Sequence, residues 1–304
     1  MQQSIGAARE IVSARILVVY KKNFEGVHDT ALEKMGECLD ALQSERGVTT
    51  DFKARERVHK SDFTSRDLII TLGGDGTLTS ISHNILDDTP VMGVNSDPQA
   101  ADPQGSVGFF LDSDMLTFRE DIRAALDGQA TLNRMPRLQA EITTTSGNVM
   151  RSDPALNDLL VSNTHQYMPS KYRLQRGGID VHQQSSGLLF STFYGQGAWF
   201  RHVCNIEQRL FDADEIGSHY LVVARDLHRE VREVDPAAYS DWTAEATVIT
   251  SDMHRGYVVP DGWDEVHFVR GASVRVGIDA PPLNLLTFRT PMVDRLSHLL
   301  GRLD

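Results

Sequence analysis

Apolar residues along this chain fall into two kinds of run. Residues 16–20 and 68–72 are short, continuous, β-branched stretches without alternation, the pattern of strands covered on both faces of a parallel sheet. Between them Leu32, Met35, Leu39 and Leu42 recur at helical spacing behind Thr30 and Glu33, a capping-box pair. The rhythm repeats with a stripe at Leu78, Ile81 and Ile85, a strand-like run at 91–94, and a stripe at Met115, Phe118, Ile122 and Ala125 ending near Gly128. This predicts an α/β N-terminal domain with a parallel sheet over 1–135. From residue 138 the pattern changes to short runs at 138–144, 156–161, 179–181, 188–192, 220–224, 247–250 and 274–278, separated by turn residues. A mainly β domain over 136–304 is expected, closing in a helix marked by Met292, Leu296, Leu299, Leu300 and Leu303. Residues 96–107, dense in Ser, Asp, Pro, Gln and Gly, read as a loop long enough to serve a function.

Length supports that division, since 304 residues exceed the usual span of one domain. The net charge of −12 argues against a general nucleic-acid or anionic-membrane binder, which needs a basic face. Phosphate remains accessible to such a protein through backbone N–H groups and a helix N-terminus. Cys38 and Cys204 are far apart and outside any metal-ligand spacing, so neither a disulfide framework nor a zinc site is expected. The first fifteen residues carry Arg9, Glu10 and Arg15 without an apolar core, and no stretch is long and apolar enough to span a bilayer. A cytoplasmic location follows as an expectation. The histidines sit at no paired ligand spacing, so no protein-built metal site is predicted.

The chemistry concentrates at Gly73-Gly74-Asp75-Gly76-Thr77, between a predicted strand and a predicted helix, where α/β sheets place their ligands. Glycines let the backbone approach a bulky anion, and N–H groups at the helix start receive phosphate oxygens. Asp75 inside that turn is placed to accept a proton from an attacking hydroxyl, the alternative being an ordinary Asp-Gly turn. The segment lacks the Lys of a Walker loop. Lys21 and Lys22 follow the first strand and would emerge at the same sheet edge, either neutralising phosphates or simply solvated.

The glycine loop resembles the signature shared by NAD kinases and the diacylglycerol and sphingosine kinases. Met92-Gly93-Val94-Asn95, Ala155-Leu156-Asn157-Asp158 and residues 186–192 follow in the order seen in NAD kinases, as do Pro260-Asp261-Gly262 and Pro282-Leu283. The second glycine segment, Thr192-Phe193-Tyr194-Gly195-Gln196-Gly197-Ala198-Trp199, departs from the common pattern and is similar to the mitochondrial branch. The resemblance implies an ATP-dependent kinase that converts NAD to NADP. Asp75 would be the base; Gly73, Gly74, Gly76, Thr77, Lys21 and Lys22 would hold the donor phosphates. Asn95, Asn157, Asp158, Lys171, Gly195, Gly197, Ala198 and Trp199 would contact NAD. By residue chemistry alone, Asn157 and Asp158 also fit an Asx turn, Lys171 with Arg173 a solvated pair, and Trp199 a core position. Abundant phosphate oxygens and the lack of a clustered ligand motif predict Mg²⁺ carried on the substrate phosphates, and the resemblance further implies a homodimer or larger homo-oligomer. A lipid kinase and a non-catalytic NAD(P) sensor of the same fold are the alternatives.

Overall fold

The computed structural model describes residues 6–7, 13–22, 26, 28–99, 105–203 and 213–301. Cys204, Leu303, Arg9, Glu10 and the middle of the 96–107 loop lie outside them. The chain forms two compact units, one built from Pro136–Pro281, the other joining the residues up to Met135 with those from Pro282 onward.

The α/β unit is organised by strands that bury both faces. Leu68–Gly73 and Val91–Asn95 are buried at every position, which is why their sequences are continuous rather than alternating. The sheet order is Thr49–Ala54, Arg15–Tyr20, Leu68–Gly73, Val91–Asn95, Leu283–Thr287, Thr131–Met135 and Gly6–Ala7, with Ser113–Asp114 added beside Val91–Asn95. Pairing is parallel from Thr49–Ala54 through Leu283–Thr287, and Thr131–Met135 runs antiparallel. Helix Asp29–Arg46 packs Met35, Cys38, Leu39 and Leu42 into the core and ends at Gly47, whose φ of 67° suits a glycine. The expected capping box is not formed: His28 is the N-cap, so Thr30 already lies inside the helix.

The β unit is two six-stranded antiparallel sheets. One runs Ser240–Thr243, Tyr220–Ala224, Leu188–Ser191, Asp158–Asn163, Arg255–Pro260 and Val266–Val269. The other runs Ile179–Ser185, Ser170–Arg176, Thr247–Ser251, Ser273–Gly277, Gln139–Thr143 and Val149–Arg151. Leu159, Phe190 and Val222 of the first share one core with Leu174, Ile249 and Val274 of the second. The opposite face of the first sheet buries Leu160, Leu189 and Leu221 under Phe200 of the short helix Trp199–Val203.

A boundary at 135/136 with everything beyond it in the β domain needs one correction. Residues 282–304 belong with the α/β unit, because Leu283–Thr287 pairs with Val91–Asn95 on one side and Thr131–Met135 on the other. The terminal helix, Met292–Gly301, goes with it.

Candidate active site

In the α/β unit the parallel strands deliver their carboxyl ends side by side. Tyr20 is opposite Leu72 and Gly73 opposite Asn95, so Lys21, the glycine loop and Asn95 share one edge. The Lys21 N–H donates to the Leu72 carbonyl at 2.9 Å, and Ser96 N–H to that of Gly73 at 3.2 Å. A Cβ at Gly73 would press on the Thr77 hydroxyl and the Lys21 side chain, and one at Gly74 on Ser106, so both glycines answer to close packing. Gly76 is exposed with open space around it. Helix Asp75–Ser82 starts from Gly74 with no side-chain cap; the Asp75 N–H meets the Ser106 hydroxyl at 3.4 Å and the Thr77 N–H donates to the Gly74 carbonyl at 2.9 Å.

Asp75 is not an isolated carboxylate. One oxygen accepts the Phe109 N–H at 2.9 Å and the other the Phe110 N–H at 2.9 Å. Burial pushes its pKa up, and the donors from Phe110 and Phe109, the Arg295 charge and the Gly108 N–H only partly oppose this. A carboxylate offers about four lone-pair positions, so a proton-accepting site remains beside the two used by the turn. Asn95 is buried and committed locally: its amide donates to the Ser106 carbonyl at 3.1 Å and accepts from Asp97 N–H at 3.1 Å, tying the loop's two ends together. His28, unremarked in the sequence, meets Ser96 at 2.6 Å, and burial with Lys21 nearby lowers its pKa. Lys22 lies further out, with Tyr20, Phe52, Lys53, Ala54 and Arg57 around an open cavity of about 310 Å³.

In the β unit a second constellation forms around residues 156–158. Asp158 pairs with Ser191, which joins the Asn-Asp segment to the second glycine segment. Thr192 donates its hydroxyl to the Leu156 carbonyl at 2.8 Å and its N–H to the Asn157 carbonyl at 2.9 Å. A Cβ on Gly195 would overlap the Asn157 carbonyl group, so only glycine permits this contact. Asp261 accepts N–H bonds from Leu156 at 2.7 Å, Asn157 at 2.7 Å and Asp158 at 3.1 Å. The Asp158 carboxyl is pushed up to about 7 by burial and secondarily by the Asp261 charge. Arg137, fully buried, is lowered to about 10 by desolvation, against which the Asp261 charge acts.

Trp199 is 38% exposed and carries the Arg225 guanidinium 4.9 Å from its ring centroid, so the core alternative for this residue does not hold. Gly197 and Ala198 are half-buried between Gly195 and Trp199. Lys171 is exposed on Ser170–Arg176, in the other sheet from Asn157 and Asp158, and its neighbour Arg173 is held by Asp180 at 2.5 and 2.6 Å. Sequence reasoning quoted Asp261 without its clamping role and passed over Arg295. Both act on backbone N–H or C=O groups far away in the chain, which no local spacing announces.

A glycine loop at the carboxyl edge of a parallel sheet, with a helix start behind it, is the arrangement in which α/β folds commonly receive a phosphate. Residues 4–128 match the family profile described as the ATP-NAD kinase N-terminal domain. A probable NADH kinase of Oryza sativa subsp. japonica is 30% identical over 148 residues, 43% of this chain and 44% of that protein. The mitochondrial NAD kinase 2 of Homo sapiens is 23% identical over 265 residues, 75% and 60% of the two chains. The chain spans about half the length of the curated relatives it matches, between 42% and 60% for these and two clostridial NAD kinases. The fold is similar to that of an NAD kinase from Archaeoglobus fulgidus in complex with ATP, with TM-score 0.69, 17% identity and coverage of 95% and 98%. It is also similar to yeast NADH kinase complexed with NADH, with TM-score 0.71, 13% identity and coverage of 95% and 88%. Residues 4–128 thus resemble the N-terminal domain of NAD kinases, and the relatives that match part of the chain include NAD kinases and a probable NADH kinase. Among the described residues no helix is long and apolar enough to cross a membrane.

Proposed function

We propose that the protein transfers the terminal phosphoryl group of ATP to the 2'-hydroxyl of the adenosine ribose of NAD, giving NADP. The observation that carries this reading is the Asp75 carboxylate, fixed by two N–H bonds at the start of a helix inside the glycine loop. In this reading Gly73, Gly74, Gly76, Thr77, Lys21 and Lys22 receive the donor phosphates, and Asp75 takes the proton of the attacking hydroxyl. Asn157 and Asp158 hold the ribose and amide side of NAD, and Gly195, Gly197, Ala198 and Trp199 admit its rings. The committed amide of Asn95 supports a loop-shaping part in that site, and the exposed Lys171 a peripheral one.

The donor set suits a Mg²⁺ ion that arrives on the phosphates: Asp75 is the only carboxylate in the glycine loop, and its oxygens are already engaged. Bound there, the ion would offset charge on the transferring group. A homodimer or larger homo-oligomer and a cytoplasmic location, both expected from the sequence reading, are parts of the same proposal, although the human relative is named as mitochondrial.

The test is incubation of purified protein with NAD, ATP and Mg²⁺, reading NADP through an NADP-specific dehydrogenase, beside a lipid-substrate control. NADP formed only in the complete mixture is expected, and phosphorylated lipid without NADP refutes the reading. Asp75→Asn is expected to lower kcat by about 100-fold or more, and a folded variant keeping over about a third of wild-type kcat refutes Asp75 as base. Its folding must be measured alongside, because an Asn would turn an NH₂ toward a backbone N–H of the Phe109–Phe110 turn.

A further inference from the structure

We infer that Arg295, on the closing helix, is the positioning residue for the Asp75 carboxylate, acting through the two peptide units of the 108–110 turn. This rests on the reading of Asp75 given above.

The Arg295 Nε donates to the Phe109 carbonyl at 2.9 Å, and one terminal nitrogen to the carbonyls of Gly108 at 2.5 Å and Leu111 at 3.1 Å. The other terminal nitrogen is paired with Asp112. The carbonyl of Gly108 and the N–H of Phe109 belong to one peptide unit, and those of Phe109 and Phe110 to the next. Arg295 therefore holds the oxygen ends of the same two peptides whose nitrogen ends bind the two oxygens of Asp75. This is a relay with its geometry fixed at both ends. A cation on a carbonyl oxygen polarises the amide and strengthens its N–H as a donor to a carboxylate. The rigid guanidinium fork also fixes the turn in a way a single ammonium does not.

The side chain is largely buried, and the segment that carries it is independently pinned. Asp112 accepts the N–H groups of Phe288 at 2.6 Å and Arg289 at 2.8 Å, while the Arg289 guanidinium grips Asp121 at 2.8 and 2.9 Å. The charged groups on the surrounding elements are thus Lys21 beside Gly73, Asp112 on the turn, and the Arg289–Asp121 pair. The Arg295 charge lowers the proton affinity of Asp75 against the effect of burial. Removing it makes the base harder to ionise.

The experiment compares Arg295→Gln, which loses the charge, with Arg295→Lys, which keeps the charge and loses the fork. For Arg295→Gln we expect kcat to fall on the order of 10- to 100-fold with NAD and ATP KM nearly unchanged, as for a displaced reacting group. The acidic limb of its kcat profile should move to higher pH. For Arg295→Lys the limb should stay in place with kcat between the two. A carboxyl ¹³C NMR titration of the folded protein, with Asp75 assigned through Asp75→Asn, reads the same upward movement without turnover. That arm survives if NAD proves not to be the substrate, so the two readings fail separately. Wild-type kcat in both variants, or an Asp75 titration that does not move in folded Arg295→Gln, overturns the inference. If Arg295→Gln does not fold, Arg295→Lys decides: reduced kcat at unchanged KM supports the relay, and wild-type kcat overturns it.

Discussion

Asp158 is the residue whose ionisation the fold alters most visibly near neutrality. Its carboxyl sits at about 7, raised by burial and by Asp261, against about 3.9 for an unperturbed aspartate. The folded state thus favours the protonated form. The stability this contributes is fully present below the unfolded value and is lost as pH rises through about 7. Wild-type protein should therefore lose a few degrees of Tm between pH 5 and pH 8 relative to Asp158→Asn, whose curve should be flatter over that window. Parallel curves would show that Asp158 ionises normally. Gly195 allows a sharper prediction from sterics: Gly195→Ala places a methyl group on the Asn157 carbonyl and should cost about 1 to 3 kcal/mol in stability, read by denaturant unfolding. An unchanged midpoint would mean the 192–195 turn relaxes without penalty. Asp75, Asn157 and Gly195 were visible in the sequence because each stands in a compact motif. Asp261 stood in a motif too but its clamping role did not show, and Arg295 was missed altogether, since the chemistry of both is exerted on peptide groups brought near only by the fold.

Among the elements, the buried parallel strands were the most legible, because burial on both faces leaves a nearly continuous apolar run such as Leu68 to Leu72, broken only by the buried Thr71. Ser170–Arg176 escaped notice for the opposite reason: its outward positions are Lys171, Arg173 and the half-buried Gln175, so only Tyr172 and Leu174 record its inner face. The capping box misread Thr30 because the helix begins two residues earlier, at Asp29 behind the N-cap His28. Turns in the β unit depend on contacts between elements. Asp261, at a φ of 48°, reaches from the end of Arg255–Pro260 to three successive N–H groups at the start of Asp158–Asn163. Asp261→Asn should weaken those charge-assisted bonds and destabilise the unit by about 1.5 to 3 kcal/mol. It should also let the Asp158 pKa fall, since a like charge is removed. Thermal unfolding with a pH titration checks both, and a normal Tm would demote the clamp to an incidental contact.

At the scale of the molecule, the α/β unit is discontinuous in sequence. Leu283–Thr287 occupies an interior place in its sheet, and Arg295 reaches its glycine-loop neighbour from the following helix. A chain truncated after Pro281 should keep a folded β unit and lose the cooperative unfolding of the α/β unit. Hydrogen exchange should find Val91–Asn95 and Thr131–Met135 unprotected, and protection equal to the full-length chain would contradict the pairing as the stabilising element.

The same discontinuity bears on biosynthesis. As the chain emerges from a ribosome, strands Val91–Asn95 and Thr131–Met135 appear early, with the place between them vacant until the β unit has been translated. The β unit, contiguous over Pro136–Pro281, can complete itself first, although it is encoded later. For that interval the nascent α/β segment exposes two strand edges to any neighbouring chain, the situation in which strand-to-strand aggregation begins. Slowing translation between the two units would lengthen this exposure, and a chaperone that shields open sheet edges would shorten its consequences.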